Sequence, residues 1–467
     1  MILSERNDTT MEQTIRYFDR EIPLLGCWDT VIVGGGAAGA SAGITSAKSG
    51  CSTLIVDKNI CLGGTAVNAL VTPMMKSFTG HHSNFFDIEA HIRGMGLATR
   101  DEVLGEMLWF APEILAETLE TLYTEAGGEV LYDAVLSDCV VEDGLIRFLI
   151  VTTVQGLCAV EGRCFVDASG DAALTRAAQI PVTHGDENGN NQMTSLRFEM
   201  GGIDIEAYRH YVMSLHDTYS QFPYGDLYES AMVGGRDFVL EPLFLQGVAD
   251  GVLRPEDLRY YQTFSIPGKP NCLSFNCPHL ASLTNNTHAM DRSRAIVEGH
   301  AMIHRLTRFL TRYMPGFEHA YLMHEASMLG IRESYRLVGK YVLTEGDYME
   351  QARFDDAVAR GDWYIDVHSA TKGLFHQKAY QPGDYYEIPY RSMVCEDIRN
   401  LVVAGRCISA TFLMQASVRI IPTCLDMGQA AGLACAYSKE HGVFLKDIDG
   451  AHLRDKLDYR FQLDSTR

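Results

Sequence analysis

"DTVIVGGGAAGASAG", residues 29–43, runs an apolar strand straight into a glycine-rich turn. Gly34, Gly36 and Gly39 form G-x-G-x-x-G directly after Val31-Ile32-Val33, with Ala37 and Ala38 inside the motif. Gly34 allows a tight turn, Gly36 the close approach of a pyrophosphate, and Gly39 the packing of helix on strand. N–H groups at the helix start then face the anion. Small residues continue to Gly50, where the helix is expected to stop. A second strand, Thr53–Val56, ends at Asp57-Lys58. That is about 20 residues on, where the fingerprint puts an acid on ribose hydroxyls. Strand, helix, strand and acid in this order point to a dinucleotide site.

The bulk numbers exclude several classes. A chain of 467 residues has room for about two or three domains. With 46% hydrophobic and 21% charged residues it reads as ordinary globular protein. A net charge of −21 argues against nucleic acid or an anionic membrane as partner, because both attract basic surface. No apolar run approaches the ~20 residues needed to span a bilayer. The start, "MILSERNDTTMEQ", lacks a basic stretch followed by an apolar core, so a cytoplasmic location is expected. None of the 12 cysteines forms C-x-x-C; Cys272 and Cys277 are the nearest pair. They are expected to be reduced, and neither a metal site nor an iron–sulfur cluster is expected.

Further along, "APEILAETLETLYTEAG" (111–127) has helical periodicity and stops at Gly127-Gly128. Three alternating runs follow, separated by Gly or Asp-Gly turns, as in a β-meander. They return to a strand at Cys164–Asp167. Residues 186–385 are rich in Tyr, His, Asn and Met, with an amphipathic helix expected around 288–313. From 386 the earlier character returns in "NLVVAGR" and the alanine-rich "TCLDMGQAAGLACAYS". A two-dinucleotide reductase would carry a second glycine fingerprint, and none is found.

"LGGTAV" (62–67), "VDASGDA" (166–172), "GIRESYRLVGKYVL" (330–343), "YEIPYR" (386–391) and "NLVVAGRCISATFLMQASVRIIPTCLDMGQAAG" (400–432) resemble the FAD-dependent oxidoreductase family, distantly similar to fumarate reductase flavoproteins. The resemblance runs from about residue 25 to 440 and implies an α/β fold. A Rossmann-like FAD-binding domain is built from discontinuous segments, 25–75, 111–185 (with the meander) and 386–445. Residues 76–110 would be a substrate-facing insertion, 186–385 an inserted α+β substrate domain, and 446–467 a tail.

The resemblance also implies roles. Gly63, Gly64 and Thr65 would approach the pyrophosphate and ribityl chain, and main-chain groups at Val135 the adenine. Ala168, Gly170 and Asp171 lie where the strand returns beneath the cofactor; Asp171 either contacts FAD or stabilises the turn. Pro422 and Thr423 fit a helix start, and N–H groups of Cys424 and Leu425 would stabilise charge on the flavin pyrimidine. Many flavoproteins have an acid after the glycine of "AGR", so Arg406 departs from that pattern beside Gly405. Arg419 would bind a substrate carboxylate, or form a salt bridge that anchors the helix.

Arg332 and Glu333 are candidates for the active site, in a segment where Ile331, Tyr335 and Val338 put one face in the core. His368, Tyr390 and Arg391 could line the isoalloxazine, and His81-His82 could donate protons. No residue matches the histidine that some relatives join covalently to FAD, so dissociable flavin is expected. The expected reaction is hydride transfer between flavin N5 and a hydroxylated or carboxylated small molecule, with an unidentified electron acceptor or donor. Its direction and the oligomeric state stay open, a homo-oligomer included. The alternatives are a flavoprotein monooxygenase and a non-catalytic electron-transfer subunit or redox sensor.

Overall fold

The computed structural model describes residues 14–75, 77–96, 98–101, 107–220, 229–234, 237–281, 283, 285–369, 373–376 and 380–459. Residues up to 13 and the end of the tail, 460–467, lie outside them. Among the described residues eight strands form one central mixed sheet. Glu129–Leu131, Thr53–Val56, Arg20–Val33 and Gly156–Asp167 lie side by side in parallel, with Leu401–Val403 beyond. Val31, Ile32, Val166 and Val402 are fully buried, as expected of parallel strands covered on both faces.

The first strand is longer than the apolar triplet suggests. Its outer half, with "REIPLLGCW", alternates in exposure before the chain dives under cover. Gly156–Asp167 does two jobs along one edge. Its first half pairs antiparallel with Leu145–Thr153 of the meander, and its last three residues pair parallel with Leu401–Val403.

The opening helix, Ala37–Lys48, and the closing helix, Ile421–His441, share one face of this sheet. They pack at backbone contact. A Cβ on Gly428 would lie 2.1 Å from the Ala38 carbonyl oxygen, and one on Gly432 2.3 Å from that of Ala42. Ser41 Oγ donates to Leu425 O across the same seam, 2.6 Å.

A second core gathers around a sheet ordered Glu229–Val233, Tyr261–Ser265, Leu273–Phe275, Phe198–Gly201, Tyr321–Glu325. The Ala289–Tyr313 helix covers it with Ala295, Gly299, Met302, Leu306 and Phe309, a stripe at three- and four-residue spacing. In the 76–110 stretch, Trp109 meets Phe264 of this sheet at 5.4 Å between ring centres. The 330–343 segment differs from its apolar spacing. It is irregular apart from Arg336–Leu337, which pairs with Val182–Thr183, and Val338 is 42% exposed. Its core contacts come from an extended chain whose turns hide Ile331 and Leu337.

The helix seam predicts a contrast between two glycines. Gly428→Ala should cost about 1–3 kcal/mol, because the added carbon must push the helices apart. Gly94→Ala, at the end of the Ser83–Gly94 helix with nothing within 4 Å of the new carbon, should be neutral or stabilising by under ~1 kcal/mol. Thermal unfolding of both variants checks this.

Candidate functional site

Four loops meet at the carboxyl edge of the parallel strands. Gly34, at φ +93°, turns the chain into the opening helix, and a Cβ on Gly39 would fall 1.8 Å from Gly34 O. Gly63 N donates to Gly35 O at 2.8 Å, and Gly36 and Gly63 form an isolated parallel bridge. Gly64, at φ +52°, closes against Gly36: its Cβ would lie 2.8 Å from Gly36 Cα. A Cβ on Gly36 itself would meet only Gly64 Cα, at 3.8 Å. The space in front of Gly36 is therefore open, and no side chain caps the helix that begins at Ala37. Thr65 begins a short helix, Thr65–Asn68, that also lacks a side-chain cap.

Asp57 is buried at the next strand end. Its carboxylate accepts from Gly35 N at 2.5 Å and from Asn59 N and Nδ2 at 2.8 Å. Lys58 beside it is exposed. Ala134 N donates to Asp57 O at 3.1 Å, which brings Val135 alongside. Ala168 N donates to Val33 O and Ala404 N to Asp167 O, so the "ASGDA" and "AGR" turns adjoin. Asp171 accepts from Arg292 Nη1 at 3.0 Å, Ser334 Oγ at 2.6 Å and Arg406 Nη2 at 3.4 Å. Burial opposes its charge, yet the Arg406 and Arg292 guanidinium groups hold its carboxyl well below the usual range. Gly170 lies against the Arg406 guanidinium, and Gly405 against Ala38. Arg406 Nε is buried without a partner among the described residues.

The closing helix starts at the same edge, with Pro422 in its first turn and no side-chain cap. Cys424 N–H, expected to face the cofactor, instead donates to Ile420 O at 2.9 Å, an ordinary helical bond. Leu425 lies one position deeper. The amides a helix leaves unused are its first few, which here means Ile421 and Thr423.

Past these turns lies a cluster of cations. Arg332 Nη1 donates to Met193 O, 2.9 Å, and Nη2 lies 3.2 Å from His279 Nε2. Arg419 Nη2 donates to Asp366 O at 3.1 Å and to Asp366 Oδ2 at 3.3 Å. His368 Nε2 shares that Oδ2, at 3.2 Å. Arg197 donates to Leu70 O, 2.9 Å. Burial pushes Arg332 down to about 9 and Arg197 to about 10. It also lowers Arg419 and takes His368 to about 4. Arg197 Nε, Arg419 Nε, His279 Nδ1 and His368 Nδ1 are buried with no partner among the described residues.

Other expected residues lie elsewhere. Glu333 turns away from its neighbour Arg332. Its carboxylate is filled by Gly185 N at 2.9 Å, Asn191 Nδ2 at 2.6 Å and Arg336. Tyr390 OH donates to Leu445 O, 2.9 Å, and half-exposed Arg391 pairs with Asp356 at 3.2 Å. His81 Nδ1 lies 2.8 Å from Asp426 Oδ2, and His82 N donates to Asp426 Oδ1, 2.9 Å. Both histidines are thereby tied beneath the closing helix. Sequence reasoning missed Arg197, His279, Gln415 and Asp366. Gln415, fully buried, donates to Arg332 O at 2.8 Å and Arg406 O at 3.3 Å. Its one signal was a lone amide in the apolar run "FLMQASV".

A family model described as FAD dependent oxidoreductase matches residues 29–457. The chain belongs to that family. FAD is its cofactor, and the open space at Gly36, the uncapped opening helix and the unpartnered Arg406 Nε fit the group. No curated protein matches the chain by sequence. Among solved structures it is similar to the flavin-dependent brominase Bmp2, at 14% identity and TM-score 0.50 over 92% of this chain and 83% of that one. A geranylgeranyl bacteriochlorophyll reductase-like protein from Thermoplasma acidophilum matches at 13% identity and TM-score 0.47, over 93% and 83%. At these identities the brominase likeness is one of fold. Among the described residues no helix is long and apolar enough to cross a membrane.

The cradle predicts that fold and cofactor loading separate at Gly36. Gly36→Ala should leave the melting temperature of the FAD-free protein within about 2 °C of wild type, because the new methyl meets no protein atom closer than 3.8 Å. FAD content should fall at least tenfold, and Gly36→Val should abolish loading. Absorbance at 450 nm per protein, with thermal unfolding, measures both.

Proposed function

We propose that this FAD-dependent oxidoreductase transfers a hydride between flavin N5 and a small organic anion held by Arg332 and Arg419. The supporting observation is charge. Three guanidinium groups, Arg197, Arg332 and Arg419, are enclosed in one cluster, and among the described residues Asp366 is the carboxylate that pairs with it. Burying a charge without a partner costs several kcal/mol, so such a cluster is built to receive an anion. In this reading residues 186–385 form the inserted substrate domain, and Arg197, His279, Arg332, Asp366 and His368 are its contribution to the site.

Bound FAD supplies a two-electron acceptor or donor at N5. The chain's residues do the rest. Arg419 is held in place by Asp366 through Nη2, which leaves its buried Nε–H to donate to a carboxylate. Arg332 is fixed by Met193 O and, through its own carbonyl, by Gln415. Two cations that cannot move position an anion without further ordering, which is where much of the rate of such reactions originates. The unused amides at the start of the closing helix, Ile421 and Thr423, lie where partial positive charge stabilises a developing anion.

Arg419→Lys keeps the charge and loses the planar fork. It should keep FAD and fold but lose most turnover, on the order of 10- to 100-fold in anaerobic flavin reduction. Arg419→Met should weaken substrate binding further. A purely structural arginine would give the reverse: lower melting temperature and FAD content with normal reduction per bound flavin. FAD occupancy, melting temperature and reduction rate on the three proteins separate the outcomes. Acid precipitation should release the flavin as intact FAD.

A further inference from the structure

Two buried histidines meet beside Arg332. The rings of His279 and His368 lie 5.2 Å apart at 69°, and the residues are 2% and 7% exposed. One bond on each ring decides where its proton sits. Arg332 Nη2 faces His279 Nε2 at 3.2 Å. A guanidinium only donates, so Nε2 accepts and the neutral ring carries its proton on Nδ1. His368 Nε2 faces Asp366 Oδ2 at 3.2 Å. A carboxylate only accepts, so here Nε2 carries the proton and Nδ1 keeps its lone pair. Both Nδ1 atoms are buried and have no partner among the described residues. One ring therefore offers a donor and the other an acceptor.

The surroundings keep both rings neutral. Burial lowers His279 well below its ordinary value, and Arg332, His368, Arg197 and Arg259 act in the same direction. For His368, burial again dominates. Asp366 opposes it, while Arg332 and Arg419 reinforce it. Tyr260, just before the Tyr261–Ser265 strand, stacks on His279 at 4.1 Å and meets His368 edge-on at 6.2 Å.

We propose that the site takes a hydroxycarboxylate and its oxo counterpart, with His368 accepting the hydroxyl proton and His279 donating to the same oxygen. The inference rests on the reading of the cluster as an anion-binding oxidoreductase site. A hydroxyl needs one acceptor and one donor, and this pair offers one of each. A CH–CH unit needs neither, and would leave both buried nitrogens unpaired at a cost. Arg332 bonds His279 at Nε2, and Arg419 shares Asp366 Oδ2 with His368, so cations that can hold a carboxylate border both rings. In the oxidation the O–H bond breaks and its proton goes to His368 Nδ1, while Nε2–H stays on Asp366. The carbinol C–H bond breaks and its hydrogen leaves with both electrons to the FAD. The C–O single bond becomes C=O.

The test uses FAD-loaded protein under anaerobic conditions and four matched pairs: glycolate and acetate, lactate and propionate, 2-hydroxyglutarate and glutarate, mandelate and phenylacetate. At least one hydroxy acid should bleach the flavin, and its partner lacking the hydroxyl should not. In the bleaching pair, calorimetry should show the 2-oxo acid binding at least tenfold tighter than the acid without oxygen at that carbon. His279→Phe should erase that difference. His368→Asn should keep 2-oxo acid binding and slow bleaching at least 100-fold. Ring 15N shifts of the wild-type holoprotein should show His279 protonated on Nδ1 and His368 on Nε2, which tests the pair even where a variant fails to fold. Opposite tautomers overturn the proposal. So does bleaching only by the acids without a hydroxyl, or binding of carboxylates with no bleaching by any hydroxy acid; both leave the anion site standing. If no carboxylate binds or bleaches, the anion reading falls as well.

Discussion

The contact on which the rest depends is the one between two helices almost four hundred residues apart in sequence. The carbonyl oxygens of Ala38 and Ala42 lie where Gly428 and Gly432 have no side chains. Only backbone can come this close, and the contact fixes the closing helix in both angle and height. Both helices then begin at the same edge of the sheet, and both begin without a side-chain cap. Their unused N–H groups add up on one side of the molecule. Asp426, one turn into the closing helix, ties His81 and His82 to the same seam.

A second constraint is electrostatic. The "AGR" turn carries a cation where related flavoproteins often carry an acid, and Asp171 answers it from the neighbouring turn. Asp171 also takes Arg292 from the Ala289–Tyr313 helix and Ser334 from the loop before Arg336. One carboxylate thus joins the nucleotide loops to the second core. Gln415 links Arg332 to Arg406 through their carbonyls. The cationic cluster and the dinucleotide cradle share a scaffold through these two residues.

The nucleotide half was legible because its signals are local. Glycines at fixed offsets, a strand of continuous apolar residues and an acid at a strand end are each read within a few positions. The meander and the Ala289–Tyr313 helix followed from periodicity in the same way. The cationic cluster was harder for a physical reason. His279 and Asp366 lie on short strands and Arg197 in the gap between two others, and nothing in their neighbours' spacing says which way they point. Arg332 and Glu333 are adjacent and equally polar in sequence. An extended chain turns one toward His279 and buries the other against Arg336. Tyr390 and Arg391 sat in a recognisable motif, and the fold spends that motif on anchoring residue 445 and Asp356.

The strand Gly156–Asp167 has a consequence for how the protein is made. Its inner edge at Phe165, Val166 and Asp167 is completed by Leu401–Val403, which is synthesised roughly 230 residues later. At about 5–20 residues per second that is a wait on the order of 10–50 s. During it, three residues that end up fully buried present unpaired backbone groups on one side. Such an edge is a template for pairing with another nascent chain. The exposure lasts for the interval between two strands, and slowing translation between residues 167 and 401 lengthens it.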